Sequence, residues 1–84
     1  MSQPTYGVFR EVLLELGFSD RSVPGSHVQL EQAQSDTVVL LRPYREEEPM
    51  DAATLAGIRR ILDEKGVVSC DRFDDLLQQR SLAG

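Results

Sequence analysis

Residues 27–41 read HVQLEQAQSDTVVLL, and this stretch decides the fold. Polar and apolar side chains alternate over residues 27–32, a pattern typical of a strand with one buried face. Residues 37–41 are apolar and rich in β-branched side chains, as expected for the central strand of a sheet. The polar residues 33–36 between them favour a turn. The stretch therefore predicts an antiparallel hairpin.

An amphipathic helix is predicted before this hairpin, over residues 6–16. Its apolar positions recur at helical spacing and therefore share one helix face; they are Tyr6, Phe9, Leu13 and Leu16. Thr5 is expected to cap the free amide groups at the start of the helix, and Gly17 to end it in a left-handed conformation. The short stretch 19–24 that follows is interpreted as a first edge strand.

Two further helices are predicted after the hairpin. Pro43 ends the strand, and Asp51 suits the N-cap of a helix that stops at Gly66. The apolar stripe of this helix consists of Leu55, Ile58, Ile61 and Leu62. A last, short helix is expected from about Asp71 to Gln79, with residues 81–84 as a frayed end. Its buried side chains are predicted to be Phe73, Leu76 and Leu77.

This order of elements predicts a single α+β domain over residues 1–84, with an ordered core at about 5–79. The contiguous strands form an antiparallel sheet, and the apolar stripes of the helices can all cover one face of it. The other sheet face is then open to solvent. We expect a functional site on that open face.

Composition limits the classes of function. Fourteen Asp and Glu against nine Lys and Arg give a net charge of -5, which disfavours nonspecific binding to nucleic acid because that binding depends on many cationic contacts. The single cysteine, Cys70, excludes an internal disulfide and predicts a reducing compartment, and no group of thiols and histidines suggests a metal site. No segment approaches the ~20 apolar residues of a membrane span. We therefore expect a cytoplasmic protein without metal or cofactor.

His27 is the only histidine of the chain and the strongest candidate for chemistry. If Val28 and Leu30 face the helices, strand alternation directs His27 towards solvent. An imidazole with the ordinary pKa of ~6.5 can exchange a proton with a ribose 2′-hydroxyl or a leaving oxygen near neutral pH. The preceding Gly25 and Ser26 allow a sharp turn that leaves room for a substrate. The alternative is an ordinary surface histidine, which composition alone favours.

Arg42, Tyr44 and Arg45 follow the hairpin directly. A tyrosine between two arginines offers a stacking surface flanked by phosphate-binding groups, so we expect these three side chains to contact RNA. Residues 46–48 are glutamates, and the alternative is that the two arginines simply pair with them. The cations of the second helix are interpreted as a solvated face; they are Arg59, Arg60 and Lys65.

Two motifs, taken together, resemble the HicA family of RNA-cleaving toxins. They are Leu-Gly-Phe at 16–18 and Gly-Ser-His at 25–27, behind an amphipathic helix and before a hairpin with a proline-containing exit. The resemblance runs from about Tyr6 to Leu77. It implies a fold similar to double-stranded-RNA-binding domains, with the order α-β-β-β-α, and an mRNA interferase activity within a type II toxin-antitoxin system. It also implies that His27 is catalytic, that Gly25 and Ser26 form its supporting turn, and that a HicB-like antitoxin is the protein partner.

The sequence departs from this family pattern after the third strand. Typical members carry a proline there, then a histidine and a lysine-containing approach to the helix, whereas residues 42–48 read RPYREEE. Three carboxylates therefore stand where basic contacts are expected. A second interpretation is a non-catalytic HicA-like module that binds a protein partner, and a third is a small structural domain unrelated to the family.

Overall fold

Three α-helices and a small sheet make up the computed structural model, which describes residues 3–25 and 27–83. In chain order the elements are α1 (Tyr6–Glu15), β1 (Ser19–Asp20), β2 (Val28–Gln32), β3 (Thr37–Leu41), α2 (Ala52–Glu64) and α3 (Cys70–Ala83). A 3₁₀ turn over Ala33–Ser35 joins β2 to β3 where a turn is predicted, and Asp36 completes it with a left-handed φ of 53°. The predicted α+β class and the antiparallel hairpin are confirmed.

The middle strand of the antiparallel sheet is β2, with β1 on one side and β3 on the other. Leu30 of β2 lies opposite Asp20 of β1 and Val39 of β3. The prediction that residues 37–41 form a central strand is therefore wrong, because they form an edge strand. The strand is apolar on both faces, but only one of these faces is buried. Its composition therefore does not indicate a neighbour strand on each side.

One face of the sheet is buried and the other is open, as predicted. Leu30, Val39 and Leu41 share the buried face and are at most 5% exposed. On the opposite face Val38 and Leu40 are 50% and 62% exposed, and they pair with Glu31 and Gln29 of β2. The alternation read from the sequence thus gives the correct orientation of β2, and the open face is more apolar than a simple polar-out pattern suggests.

Both ends of α1 are closed as predicted. The hydroxyl oxygen of Thr5 accepts a hydrogen bond from the amide of Val8 at 3.2 Å. Gly17 adopts a φ of 97° after the last turn, and the amide of Phe18 donates to the carbonyl of Leu13 at 3.0 Å. This closure satisfies carbonyls that the end of a helix leaves free, and glycine adopts the required conformation without strain.

The start of α2 is also confirmed, but its apolar stripe is narrower than predicted. The Asp51 carboxylate accepts hydrogen bonds from the amide of Thr54 at 2.9 Å and from its hydroxyl at 3.0 Å. Ile58 and Leu62 are buried, whereas Ile61 is 43% exposed. Placing Ile61 in the buried stripe is wrong because each residue advances ~100° around a helix, which puts Ile61 at the margin of the arc.

The C-terminal helix is longer than predicted. It continues through 14 residues to Ala83, beyond the expected end at Gln79. Arg80 lies 3.3 Å from Glu15 and 3.7 Å from Glu11 of α1. These ion pairs join α3 to α1 directly before residues 81–84, where fraying is predicted.

One hydrophobic core joins the helices to the sheet. Phe9 of α1 and Phe73 of α3 meet edge to face, with ring centroids 6.2 Å apart. The buried side chains of α3 are the predicted ones, namely Phe73, Leu76 and Leu77. Within the described residues, none of the helices combines the length and apolarity that a membrane span requires.

The connection between β3 and α2 lies against the start of α1. The amide of Tyr6 donates to the carbonyl of Glu48 at 3.0 Å, and the amide of Gly7 donates to the carbonyl of Glu46 at 2.9 Å. A Cβ at position 7 would lie 3.1 Å from that Glu46 oxygen, so the glycine permits the close approach. The connection thereby satisfies first-turn amides of α1 and positions the candidate RNA-binding residues.

Candidate nucleic-acid interface

His27 lies immediately before β2 and is exposed to solvent. Among the described residues, no hydrogen bond or ion pair involves its side chain. The neighbouring strand residues explain this position, because Leu30 and its partner Val39 occupy the buried face. The imidazole is therefore accessible to a large substrate, as the sequence predicts.

Gly25 forms part of the turn that leads into His27. Its φ is 80°, a left-handed conformation that a residue with a side chain adopts only with strain. Among the described residues, no atom other than those of its chain neighbours lies within 4 Å of the place where a Cβ would be, so these residues leave the approach open. Ser26, the other predicted member of the supporting turn, lies outside the described residues.

The strand register places Arg42 beside His27 at one end of the sheet. Val28 and Leu41 are the last paired residues of β2 and β3. His27 precedes Val28 and Arg42 follows Leu41, so the two occupy neighbouring positions just beyond the ladder. One end of the sheet therefore carries an imidazole beside one strand and a guanidinium beside the next.

Arg42 is held by two partners from other parts of the chain. Its guanidinium donates to the Glu48 carboxylate at 2.5 Å, and its central carbon lies 5.7 Å from the centroid of the Tyr6 ring. The hydrogen bond from Arg42 keeps the pKa of Glu48 below its ordinary value. Arg42 is therefore partly neutralised, although its side chain is still mostly exposed.

Tyr44 stacks on Tyr6 rather than standing free. The two rings are 4.6 Å apart at their centroids and nearly parallel, with 10° between their planes. Partial burial raises the pKa of the Tyr44 hydroxyl, so it stays protonated at neutral pH. One face of the ring is occupied by Tyr6.

Arg45 completes the predicted trio, and its partner is a glutamate of the same loop. It forms an ion pair with Glu47 at 2.7 Å, and both side chains are largely exposed. The structure thus brings Arg42 and Tyr44 together on Tyr6, and gives Arg42 and Arg45 the glutamate partners considered as an alternative. Exposed ion pairs contribute only about 0–1 kcal/mol, so a phosphate can compete for these cations.

Two of the three cations predicted as a solvated face, Arg59 and Arg60, form ion pairs within the chain. Arg59 binds Asp74 with two hydrogen bonds of 2.9 Å. Arg60 pairs with Glu64 one turn later on the same helix. These contacts explain the charges by intramolecular pairing, and no phosphate role is needed for them.

Cys70 begins α3 and is half-buried. Partial burial raises the pKa of its thiol, and the sulfur lies 3.7 Å from a carboxylate oxygen of Asp63. Both features disfavour the reactive thiolate. No three of the described histidine, cysteine and acidic side chains come close enough together to hold a metal ion.

Comparison of the chain with models of known protein families, with curated proteins and with solved structures found no match. The likeness of its motifs at 16–18 and 25–27 to HicA toxins therefore stays a prediction.

Two residues of this region are not found by reading the sequence. Tyr6 is predicted only as a core residue of α1, yet its ring contacts both Arg42 and Tyr44. Glu48 is predicted as one of three loop carboxylates, whereas it is the one that binds Arg42. The one sequence feature that could have indicated a further role for Tyr6 is its hydroxyl. A purely apolar side chain at this first helical position would fill the core equally well.

Proposed function

We propose that this protein is an endoribonuclease of the HicA-like type, in which His27 is the single proton-exchanging group. The observation that carries the proposal is the exposed imidazole at the end of β2, next to an open turn at Gly25. A surface histidine needs both access and a nearby phosphate-binding group to act on RNA. Arg42, at the end of the adjoining strand, is the candidate phosphate-binding group.

The reaction that suits one imidazole is transphosphorylation within the RNA. The 2′-oxygen of a ribose attacks the adjacent phosphorus, and the bond from phosphorus to the 5′-oxygen of the next nucleotide breaks. His27 either accepts the proton of the 2′-hydroxyl or donates a proton to the departing 5′-oxygen, and water exchanges the other proton. The products are a 2′,3′-cyclic phosphate and a 5′-hydroxyl, and the reaction requires neither metal nor cofactor.

Arg42 and Arg45 steady the phosphate groups in this proposal, and Tyr44 contacts an unpaired base. Each arginine exchanges its glutamate partner for a phosphate oxygen. The exposed position of both ion pairs supports this exchange because little free energy is lost with them. By analogy with the toxins that it resembles, the protein acts on mRNA and is held inactive by a HicB-like antitoxin.

Replacing His27 tests the proposal directly. We expect His27→Ala to lower the rate of RNA cleavage by about 10²–10⁴-fold, the usual contribution of a general acid or base, and to abolish toxicity on expression. The matched control is Gln29→Ala, the next outward-facing position of the same strand, which should cleave at the rate of the unmodified protein. Both variants should show the same circular dichroism spectrum.

The chemistry has its own control in the substrate. An oligonucleotide with a 2′-deoxyribose at the cleaved position should resist cleavage while binding normally. Cleavage of that substrate, or equal rates for His27→Ala and the unmodified protein, contradicts the proposed mechanism.

A second candidate function is a non-nucleolytic module that binds a protein partner. The net charge of -5 and the pairing of both Arg42 and Arg45 with glutamates favour it. Fluorescence anisotropy with labelled RNA separates the two candidates, because a protein that contacts phosphates binds more tightly as salt is lowered. The absence of any salt-dependent binding supports the protein-binding module.

A further inference from the structure

The free edge of β3 has identifiable unpaired backbone groups. Arg21 donates its amide to the carbonyl of Gln29 at 2.8 Å, and the amide of Gln29 donates to the hydroxyl of Ser22 at 2.9 Å. Gln29 therefore directs both backbone groups towards the β1 side. Because successive residues of a strand direct these groups to opposite sides, Val28 and Leu30 direct theirs towards β3.

The partners of Val28 and Leu30 on β3 are Leu41 and Val39, whose backbone groups therefore point towards β2. Val38 and Leu40 consequently direct their N–H and C=O groups outward, away from the sheet. Within the described residues, no backbone hydrogen bond joins β3 to any element besides β2. The same two residues also carry the exposed apolar side chains of the open face.

This edge lacks the usual protection against pairing with another strand. Natural edge strands are shielded by charged side chains, prolines, bulges or a covering element. Residues 37–41 read TVVLL and contain neither a charge nor a proline. Their five residues pair with β2 in an unbroken register, so no bulge interrupts the strand. The edge is therefore suited to bind a further strand.

We infer that the occupant is β3 of a second copy of this chain, paired in antiparallel orientation about Val39. In this register Val38 of one copy lies opposite Leu40 of the other, and the same pair recurs on the other side of the axis. Val38 and Leu40 are the residues with outward backbone groups, so the two strands exchange four backbone hydrogen bonds. The exposed side chains of the same residues then form one apolar patch across the axis.

The residues that flank β3 support pairing with itself rather than with an unrelated strand. Asp36 precedes the strand and Arg42 follows it. When Val39 of one copy lies opposite Val39 of the other, Asp36 of each copy lies opposite Arg42 of its partner. This contact therefore occurs at both ends of the strand pair. In the dimer each Arg42 exchanges its intramolecular partner Glu48 for Asp36 of the other copy. Opposite charges at both ends then favour this register, and any shift of the strands loses both contacts.

A dimer of this kind is closed. Two three-stranded sheets become one six-stranded sheet whose outer edges are the two β1 strands, and each β1 is only two residues long. Such short edges offer little backbone for further pairing. Arg42 belongs to both proposals, but the dimer is measured without RNA, so its test is independent of nuclease activity.

The oligomeric state as a function of concentration tests the inference. We expect sedimentation to show a monomer that becomes a dimer as the protein concentration rises, as mass action requires. Leu40→Lys should weaken the dimer by about tenfold or more, because a lysine on an edge strand opposes pairing. The matched control is Leu82→Lys, the same substitution at a position of α3 that is even more exposed, and it should leave the dimer unchanged.

Charge exchange tests the register. Arg42→Glu places two carboxylates opposite each other and should weaken the dimer, whereas adding Asp36→Arg to it should restore the dimer. Slow hydrogen exchange of the Val38 and Leu40 amides should appear only at concentrations where the dimer is present. A protein that stays monomeric throughout, a dimer that Leu40→Lys leaves intact, or assembly into larger species overturns the inference.

Discussion

Asp20 is the residue whose ionisation depends most clearly on the folded structure. Hydrogen bonds from Ser22 and then from Arg10 lower its pKa from 3.8 to about 2. The folded state therefore favours the carboxylate more than the unfolded state does. The resulting stabilisation is present above the unfolded pKa and is lost as pH falls through about 2.

Asp20→Asn should reveal this contribution through its pH dependence. The difference in unfolding free energy between the unmodified protein and the variant should be present at about pH 6 and should shrink between about pH 4 and pH 2. Urea titrations at several pH values measure it. Asp75→Asn removes the same charge from an exposed position of α3 and is the control for the loss of one carboxylate. A constant difference for Asp20→Asn contradicts the role of the hydrogen bonds.

Single residues differ in how far the sequence predicts them. The exposure of His27 follows from strand alternation, which is a local property, and the structure confirms it. Tyr44 stacks on Tyr6, although one residue follows all three strands in the chain and the other precedes them. No local pattern encodes that contact, because it depends on how the connection after β3 packs against α1. The pairing of Arg42 with Glu48 is predicted only as an alternative for the same reason.

Among the elements, α2 depends most visibly on a single capping residue. Asp51 accepts hydrogen bonds from two groups of Thr54, and both bonds lower the pKa of its carboxyl. Asp51→Ala should lower the free energy of unfolding by about 1 kcal/mol, the usual effect of removing an N-cap. Urea unfolding measures the change. Asp51→Asn retains a capping oxygen and should recover most of the loss, and equal losses in the two variants argue against capping.

Element boundaries are predictable where local chemistry sets them. Thr5, Gly17 and Asp51 are found from the sequence because a cap acts on groups within one turn of itself. The end of α3 is not found, since the partners of Arg80 belong to α1. The edge position of β3 is missed for a related reason. An apolar, β-branched strand has the same composition whether a neighbour strand or a second molecule covers its edge.

At the scale of the whole molecule, stability rests on one core in which Phe73 and Phe9 are both fully buried. A chain of 84 residues is expected to have an unfolding free energy of roughly 4–13 kcal/mol. Phe73→Ala should remove about 3–5 kcal/mol by leaving a cavity, which is a large part of that total. Thermal and urea unfolding should therefore show a sharply lower midpoint with one cooperative transition. Leu82→Ala, in the same helix but 79% exposed, should change stability by less than about 0.5 kcal/mol. Similar losses for both variants contradict a single core that includes α3.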